Sequence, residues 1–286
     1  MEEFIKDKMK IIFSDFLDNV AKESLCDLRS FSFKGQKLPN YSNLKHQQLF
    51  LLRYFPAYLC EYKYLYGKVH QEARLSEYNV LSIGCGCFLD YHGLAFALPT
   101  SPKPIRYTGI DIVNWYYNDI FFDSNIVEFS EILIENYQFP EVVDYNIIFF
   151  PKSISEISNK GFNILLENLQ KVKFTSDCIY IISSSMDKGY EHDEAKYKRL
   201  IECLKKNGFN CNNYESTWEL KNQAFCNLDG HFYYPDEVKR YLTTLHKNCL
   251  KYEKNNSSCW DKCEEISRWP ILTTKHVSFL INLLER

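Results

Sequence analysis

The sequence predicts an α/β protein: a doubly wound, mostly parallel seven-stranded sheet, preceded by a helical N-terminal extension and interrupted by a C-terminal insertion. Three observations carry that expectation. Val80 to Ile83 is a short apolar run that meets Gly84-Cys85-Gly86-Cys87, and a helical pattern with Leu89, Gly93, Phe96 and Ala97 on one face follows. That order is a buried parallel strand, a tight turn, and a helix whose N-terminus points back at the turn. A second run, Arg106 to Ile112, ends in the carboxylate of Asp111. Two further short apolar runs, Tyr145 to Phe150 and Cys178 to Ile182, alternate with helical segments, as a parallel sheet requires.

In chain order, residues 1 to about 30 carry Phe4, Ile5, Ile12, Phe16, Val20 and Leu28 at helical intervals. Gly35 and Pro39 punctuate a loop from Ser30 to Ser42. A second helix follows, in which Pro56 either kinks the helix or marks a fresh start. Its Phe55, Tyr58, Tyr62, Leu65 and Val69 form one stripe, which either packs on the sheet domain or makes a lid or stacking surface over a ligand. Residues 1–74 are therefore the extension, and 75–286 the sheet domain. The third strand is Ile126 to Phe129 or Ile132 to Ile134, with Ser130 or Glu131 near its tip. The fourth is Tyr145 to Phe150, stopped by Pro151. Phe162 to Val172 is helical, and the fifth strand, from Cys178, ends in Ser183-Ser184-Ser185. A helix from Asp193 to Lys206 closes at Asn207-Gly208. Phe209 to Tyr214 and His276 to Leu284 supply the last two strands, and residues 217–274 form the insertion, with a helix near Asp236 to Leu250.

Composition narrows the function classes. A formal net charge of -3 sets up no global field toward nucleic acid or an anionic membrane. No run of 18 apolar residues exists, and Met1-Glu2-Glu3 is unlike a signal peptide, so a cytoplasmic location with no membrane partner is expected. The 11 cysteines, an odd number, are then expected as reduced thiols. One group stands apart: His246, Cys249, Cys259 and Cys263 could close a tetrahedral zinc site, or remain ordinary thiols and an imidazole.

The glycine turn does not match the dinucleotide pattern G-x-G-x-x-G, because the third glycine would fall at Leu89. Ile83-Gly84-Cys85-Gly86 and Thr108-Gly109-Ile110-Asp111-Ile112 instead resemble motif I and the following acidic motif of the class I, Rossmann-like S-adenosylmethionine-dependent methyltransferases. Ser82 stands where that family usually has an acidic residue, and Cys87 where a third glycine is common. The resemblance implies S-adenosylmethionine as cofactor, with Gly84, Cys85 and Gly86 around its methionine part. Asp111 would hold the ribose, with Ile112 beside it. Asp90 either approaches the cofactor's amino group or complements the helix dipole. In this family the loop after the fourth strand faces the transferable methyl group. Here it is Lys152 to Ile157, which lacks the Asn/Asp-Pro-Pro-Tyr signature of base-amine methylation. Ser153 is the candidate substrate hydrogen bonder and Glu156 the candidate proton acceptor, unless the pair is simply a capping box. RNA is the first acceptor class expected, from the aromatic helix and the clusters Lys196-Lys198-Arg199 and Lys239-Arg240, which can equally be solvated helix faces. The alternatives are a binding or scaffold protein that lost the transfer, and an enzyme with other chemistry at the same nucleoside site.

Overall fold

The computed structural model describes residues 1–22, 41–72, 75–98, 103–122, 125–186, 190–211, 232–244, 270–272 and 277–286. They fall into two compact units: Met1–Cys60 with Gly230–Thr273, and Glu61–Asp229 with Thr274–Arg286. Gly230–Thr273, within the expected insertion, thus belongs to the same unit as Met1–Cys60.

The first unit is helical. α1 (Glu2–Lys22) buries Ile5, Met9, Ile12, Phe13 and Phe16, a three-and-four spacing that makes one apolar face. Phe13 and Phe16 meet Tyr241 edge-on, at 5.3 and 6.2 Å between ring centroids. α2 (Leu44–Glu72) starts where the side chain of Asn43 accepts the Lys45 amide at 3.0 Å, and it runs unbroken through Pro56. Its residues up to Cys60 belong to this unit.

The second unit begins with the remainder of α2. β1 (Tyr78–Ile83), α3 (Leu89–Ala97), β2 (Ile105–Asp111), the single turn α4 (Asn118–Phe121) and β3 (Val127–Glu131) follow. β3 thus takes the earlier of the two expected positions. β4 (Val142–Val143) pairs only with β6 (Lys173–Phe174), apart from the main sheet. Between them lie β5 (Ile147–Pro151) and α5 (Asn159–Lys171). β7 (Cys178–Met186), which continues through its serines, and α6 (Tyr190–Lys206) come next. Of the insertion helix, the described part is α7 (Asp236–Thr244), which belongs to the first unit; β8 (Val277–Glu285) closes the sheet.

The main sheet has the order β3-β2-β1-β5-β7-β8. All neighbours are parallel except β7 and β8. The winding reverses between β1 and β5, the place where open α/β sheets bind ligands. Among the described residues the main sheet has six strands, not the expected seven. At the expected strand from Phe209, a single antiparallel bridge joins Asn210 to Glu285. Phe209 is buried against Phe174, and residues 212–214 of the expected strand lie outside the described residues.

Alternation along the strands separates the two faces. Ile148 and Phe150 join Leu81, Ile83, Ile179 and Ile181 in a core with Phe162, Leu165 and Leu169 of α5 and Tyr197, Leu200 and Leu204 of α6. On the other face Phe149 takes Tyr62 and Tyr66 of α2 edge-on, at 5.3 and 5.4 Å. That end of the aromatic stripe is core packing. α3 comes so close to α2 that a Cβ on Gly93 would stand 2.6 Å from that of Tyr62.

Candidate active site

The five parallel strands present their carboxyl ends along one edge. At the tip of β1 the backbone turns through left-handed conformations at Gly84 (φ +75°) and Gly86 (φ +56°), then at Phe88 (φ +61°). The Gly84 amide donates to the Ile110 carbonyl at 2.7 Å, so the turn hangs from β2. A side chain at Gly84 would be strained in that conformation and would run into Ser153. Phe88 tolerates its φ because its fully buried ring is clamped edge-on between Tyr107 and Phe129.

Asp111, at the tip of β2, is half-buried. Its Oδ2 accepts the Gly86 amide at 2.8 Å and its Oδ1 the Val113 amide at 2.9 Å. Burial pushes its carboxyl up, those amides pull it back, and Glu131, its register partner on β3, pushes it up again. Each carboxylate oxygen has a second acceptor site. Ile112, the next residue, is 55% exposed, and Tyr116 and Leu133 are exposed apolar side chains following the same two strands. Trp115 is buried, its indole 3.8 Å from where a Cβ on Gly86 would sit. Cys85 and Cys87 are buried, and burial holds both thiols well above their usual range, hence neutral.

Asp90 lies inside the core rather than in the crevice. It is 0% exposed, and the Tyr107 hydroxyl reaches both of its carboxylate oxygens at 2.8 Å. Burial raises its carboxyl to about 6, opposed by the neighbouring Ser82 and Tyr107 hydroxyls and the amides at the start of α3. The polar position before the glycine turn is thus answered from within, by Ser82 and Asp90 together.

Ser153 and Glu156 do not form a capping box. α5 is capped by Ser158, whose hydroxyl accepts the Gly161 amide at 2.9 Å. The buried Ser153 donates its hydroxyl to the Ile83 carbonyl, which pins the loop after β5 beneath the glycine turn. Glu156 opens to solvent, yet the walls around it and the carboxylates of Asp111 and Asp193 raise it to about 7.

Several neighbours were not foreseen from sequence. Lys152, left-handed at φ +61°, sends its ammonium to Glu61 of α2 at 2.7 Å, and both side chains are buried. Asp193 of α6 is buried near Lys152, and burial raises its carboxyl to about 6. No local pattern marks either pairing.

The expected zinc ligands His246, Cys249, Cys259 and Cys263 lie outside the described residues, and among the described residues no cluster suits a metal ion. No described helix is long and apolar enough to cross a membrane. The basic cluster of α6 is engaged locally. Lys196 donates to the carbonyls of Ile154, Ser155 and Ile157, Lys198 pairs with Glu194 at 2.5 Å, and Arg199 reaches Asn163 at 2.5 Å.

No protein-family model and no curated protein matches the sequence. Solved structures similar to the chain include methyltransferases. The plantazolicin methyltransferase BpumL in complex with SAH is 13% identical, with a TM-score of 0.45, over 96% of this chain and 99% of that one. The plantazolicin methyltransferase BamL, in complex with a triazolic desmethylPZN analog and SAH, is 15% identical at a TM-score of 0.41, over 82% and 85%. A TehB-like SAM-dependent methyltransferase from Corynebacterium glutamicum is 11% identical at a TM-score of 0.38, over 79% and 87%.

Proposed function

We propose that the chain transfers a methyl group from S-adenosylmethionine to an acceptor that enters at the tip of β5. The observation that carries this is the bond from the Gly86 amide to Asp111, which sets a left-handed glycine turn and an acidic strand tip side by side at the switch point of the sheet. The residues present suit the cofactor. Asp111 keeps outward acceptor sites for the two ribose hydroxyls, and exposed Ile112 offers an apolar face to the base. The backbone of Gly84, Cys85 and Gly86 would border the methionine part without a Cβ at either glycine.

When bound, S-adenosylmethionine supplies an electrophilic methyl on a sulfonium, and in-line displacement needs chiefly position and exclusion of water. This chain's residues then divide the work. Asp90 and Tyr107 fix the start of α3 from inside the core, so Asp90 shapes the turn without touching the ligand. Ser153 holds the loop after β5 against β1. Glu156, raised to about 7, takes a proton from an acceptor that arrives protonated. Of the basic residues that suggested RNA, Lys196, Lys198 and Arg199 are engaged within α6 and its neighbours.

A protein that binds the nucleoside without transfer is the second reading, favoured by the engagement of the Ser153 hydroxyl with Ile83. Isothermal titration with S-adenosylmethionine and S-adenosylhomocysteine, followed by incubation with methyl-labelled cofactor, separates the two. Binding with label transferred supports the transferase; binding with no transfer to any pool supports the second reading. Failure of the folded protein to bind either nucleoside overturns both.

A further inference from the structure

The loop after β5 is one turn of helix that a neighbouring helix holds by its carbonyls. The Ser153 carbonyl accepts the amides of Glu156 and Ile157, at 2.9 and 3.3 Å, and the chain then leaves for α5, which Ser158 caps separately. A helical turn that stops leaves its last carbonyls without backbone partners. Here a side chain 39 to 42 positions away answers them. The Lys196 ammonium donates to the Ile154 carbonyl at 3.0 Å, to the Ser155 carbonyl at 3.4 Å and to the Ile157 carbonyl. An ammonium has three N–H donors, so three carbonyls use all of them. Lys196 is 3% exposed, and burying a cation is unfavourable unless its donors are satisfied in this way.

The same turn is fastened at its start. Lys152 is tied to Glu61 of α2, Ser153 donates its hydroxyl to the Ile83 carbonyl, and Ile154 is wholly buried in the core with Phe162 and Tyr197. The Ser155 hydroxyl steadies the carboxylate of Asp193, one turn before Lys196 on α6. Among the described residues nothing bonds the Glu156 carboxylate itself, so the backbone that carries it sets its place. Two of the three carbonyls on Lys196, those of Ser155 and Ile157, flank Glu156. The charged groups around Glu156 are Asp111 at the tip of β2, Asp193 and Lys196 of α6, and Lys152 of its own loop with Glu61 of α2 behind it. Enclosure and the two aspartates raise Glu156 to about 7, a value that depends on the turn staying where it is.

Resting on the methyl-transfer reading, we propose that Lys196 is a positioning residue of the reaction: through the carbonyls of Ser155 and Ile157 it holds Glu156 where the acceptor's proton is taken. Lys196 acts through the loop and not on the cofactor. Methionine at this position keeps the apolar stem and lacks the donors, so it frees the carbonyls and the turn with them. That change acts on Glu156 in two opposite senses. Removing a nearby cation raises the proton affinity of a carboxylate, whereas letting the carboxylate swing into water lowers it toward the ordinary glutamate range. A fall therefore reports lost position, and a rise reports lost charge alone.

The test follows the carboxyl resonance of Glu156 by NMR in protein with isotopically labelled glutamate, assigned by its absence in Glu156→Gln. Wild type is expected to titrate at about 7. Lys196→Met should lower the proton affinity of Glu156 at least tenfold, and Lys196→Arg, which keeps charge and donors, should stay within threefold of wild type. Lys196→Gln is made in parallel in case the methionine variant does not fold; two donors on a shorter stem do not span three carbonyls, so it should fall in the same direction. Affinity for S-adenosylhomocysteine should stay within twofold throughout. Methyl label from saturating S-adenosylmethionine is then offered to total RNA, total protein and a small-molecule extract. In whichever pool wild type labels, Lys196→Met should be at least tenfold slower and Lys196→Arg substantially faster than Lys196→Met. Glu156 titrating at or above the wild-type value in the folded neutral variants, or transfer within twofold of wild type, would overturn the positioning role and leave the methyl-transfer reading intact. Wild type that binds the nucleoside but labels no pool would overturn that reading, and the proposal with it.

Discussion

The Gly86 amide donates to Asp111 Oδ2 at 2.8 Å across 25 positions of sequence, and this single bond ties the turn after β1 to the tip of β2. It is possible because the parallel register sets Ile83 beside Ile110, so both strands end at the same level. Asp111 therefore shapes the turn, taking one amide on each carboxylate oxygen.

Asp111→Ala should cost the protein nucleoside affinity far more than fold. A hydrogen bond to a charged group contributes about 1.5–3 kcal/mol, and two ribose hydroxyls would use this carboxylate, so roughly a 10- to 100-fold loss is expected once the turn relaxes. Calorimetric titration with S-adenosylhomocysteine measures it. An affinity within twofold of wild type would remove Asp111 from the site.

Gly84→Ala should destabilise the second unit by about 2–4 kcal/mol, from left-handed strain and overpacking together. The obstruction is the Ser153 side chain. Adding Ser153→Gly should therefore recover the packing part and leave the backbone part. Urea denaturation of the single and double variants checks this; no recovery would mean that the strain is all in the backbone.

Much of this architecture is written locally. The run from Val80, the paired glycines and the strand ending in Asp111 are each contiguous, and short-range rules for strands, turns and helices suffice for them. Asp90 was harder to place, because the first turn of a helix offers a carboxylate either to the dipole or to a ligand, and only the long-range arrival of Tyr107 decides for the core. Glu61 and Lys152 lie 91 positions apart and meet through tertiary packing, so no spacing announces them. Lysine carries no hint of a left-handed backbone either. The expected strand from Phe209 is of the same kind: among the described residues its pairing is the bridge from Asn210 to Glu285, and the burial of Phe209 against Phe174 is a tertiary fact.

Asp90 makes stability depend on pH. Its ordinary value is near 4, and burial in the fold raises it to about 6. A raised folded value means that the native state holds the proton more tightly than the unfolded chain does. The contribution is complete below about pH 4 and is lost as pH rises through about 6. It amounts to about 2–3 kcal/mol between pH 4 and 7. Asp193 and Glu156 are raised in the same sense, so the decisive quantity is the difference between wild type and Asp90→Asn. Unfolding free energies at pH 4, 5.5 and 7 should fall less steeply in the variant, and equal slopes would contradict the assignment.

Glu156 should write its titration into the transfer rate. As a proton acceptor it works as the carboxylate, so kcat is expected to rise with pH through about 7 and level off above. Glu156→Gln should lower kcat by roughly 10²–10⁴ and abolish the break near 7, with S-adenosylhomocysteine binding unchanged. A pH profile with the same break in the variant would assign it to another group.

The Glu61–Lys152 pair predicts a strongly non-additive double-mutant cycle. Glu61 is wholly enclosed, and burial already raises its carboxyl while the Lys152 ammonium opposes that shift. Lys152→Met leaves the carboxylate without its cation, and breaking one side of a buried pair costs about 3–5 kcal/mol. The fold has one escape, which is to protonate Glu61, so the loss should shrink as pH is lowered from 8 toward 5. Lys152→Met with Glu61→Gln removes both charges, and much of the loss should return, because two neutral side chains carry no ionic desolvation. A coupling of about 1–3 kcal/mol is expected from chemical denaturation of the four proteins. Position 152 keeps its left-handed backbone in every arm, so that strain cancels across the cycle. Additive losses would mean that the two charges are solvated separately, and the tip of β5 would then be an open surface and not an enclosed polar site.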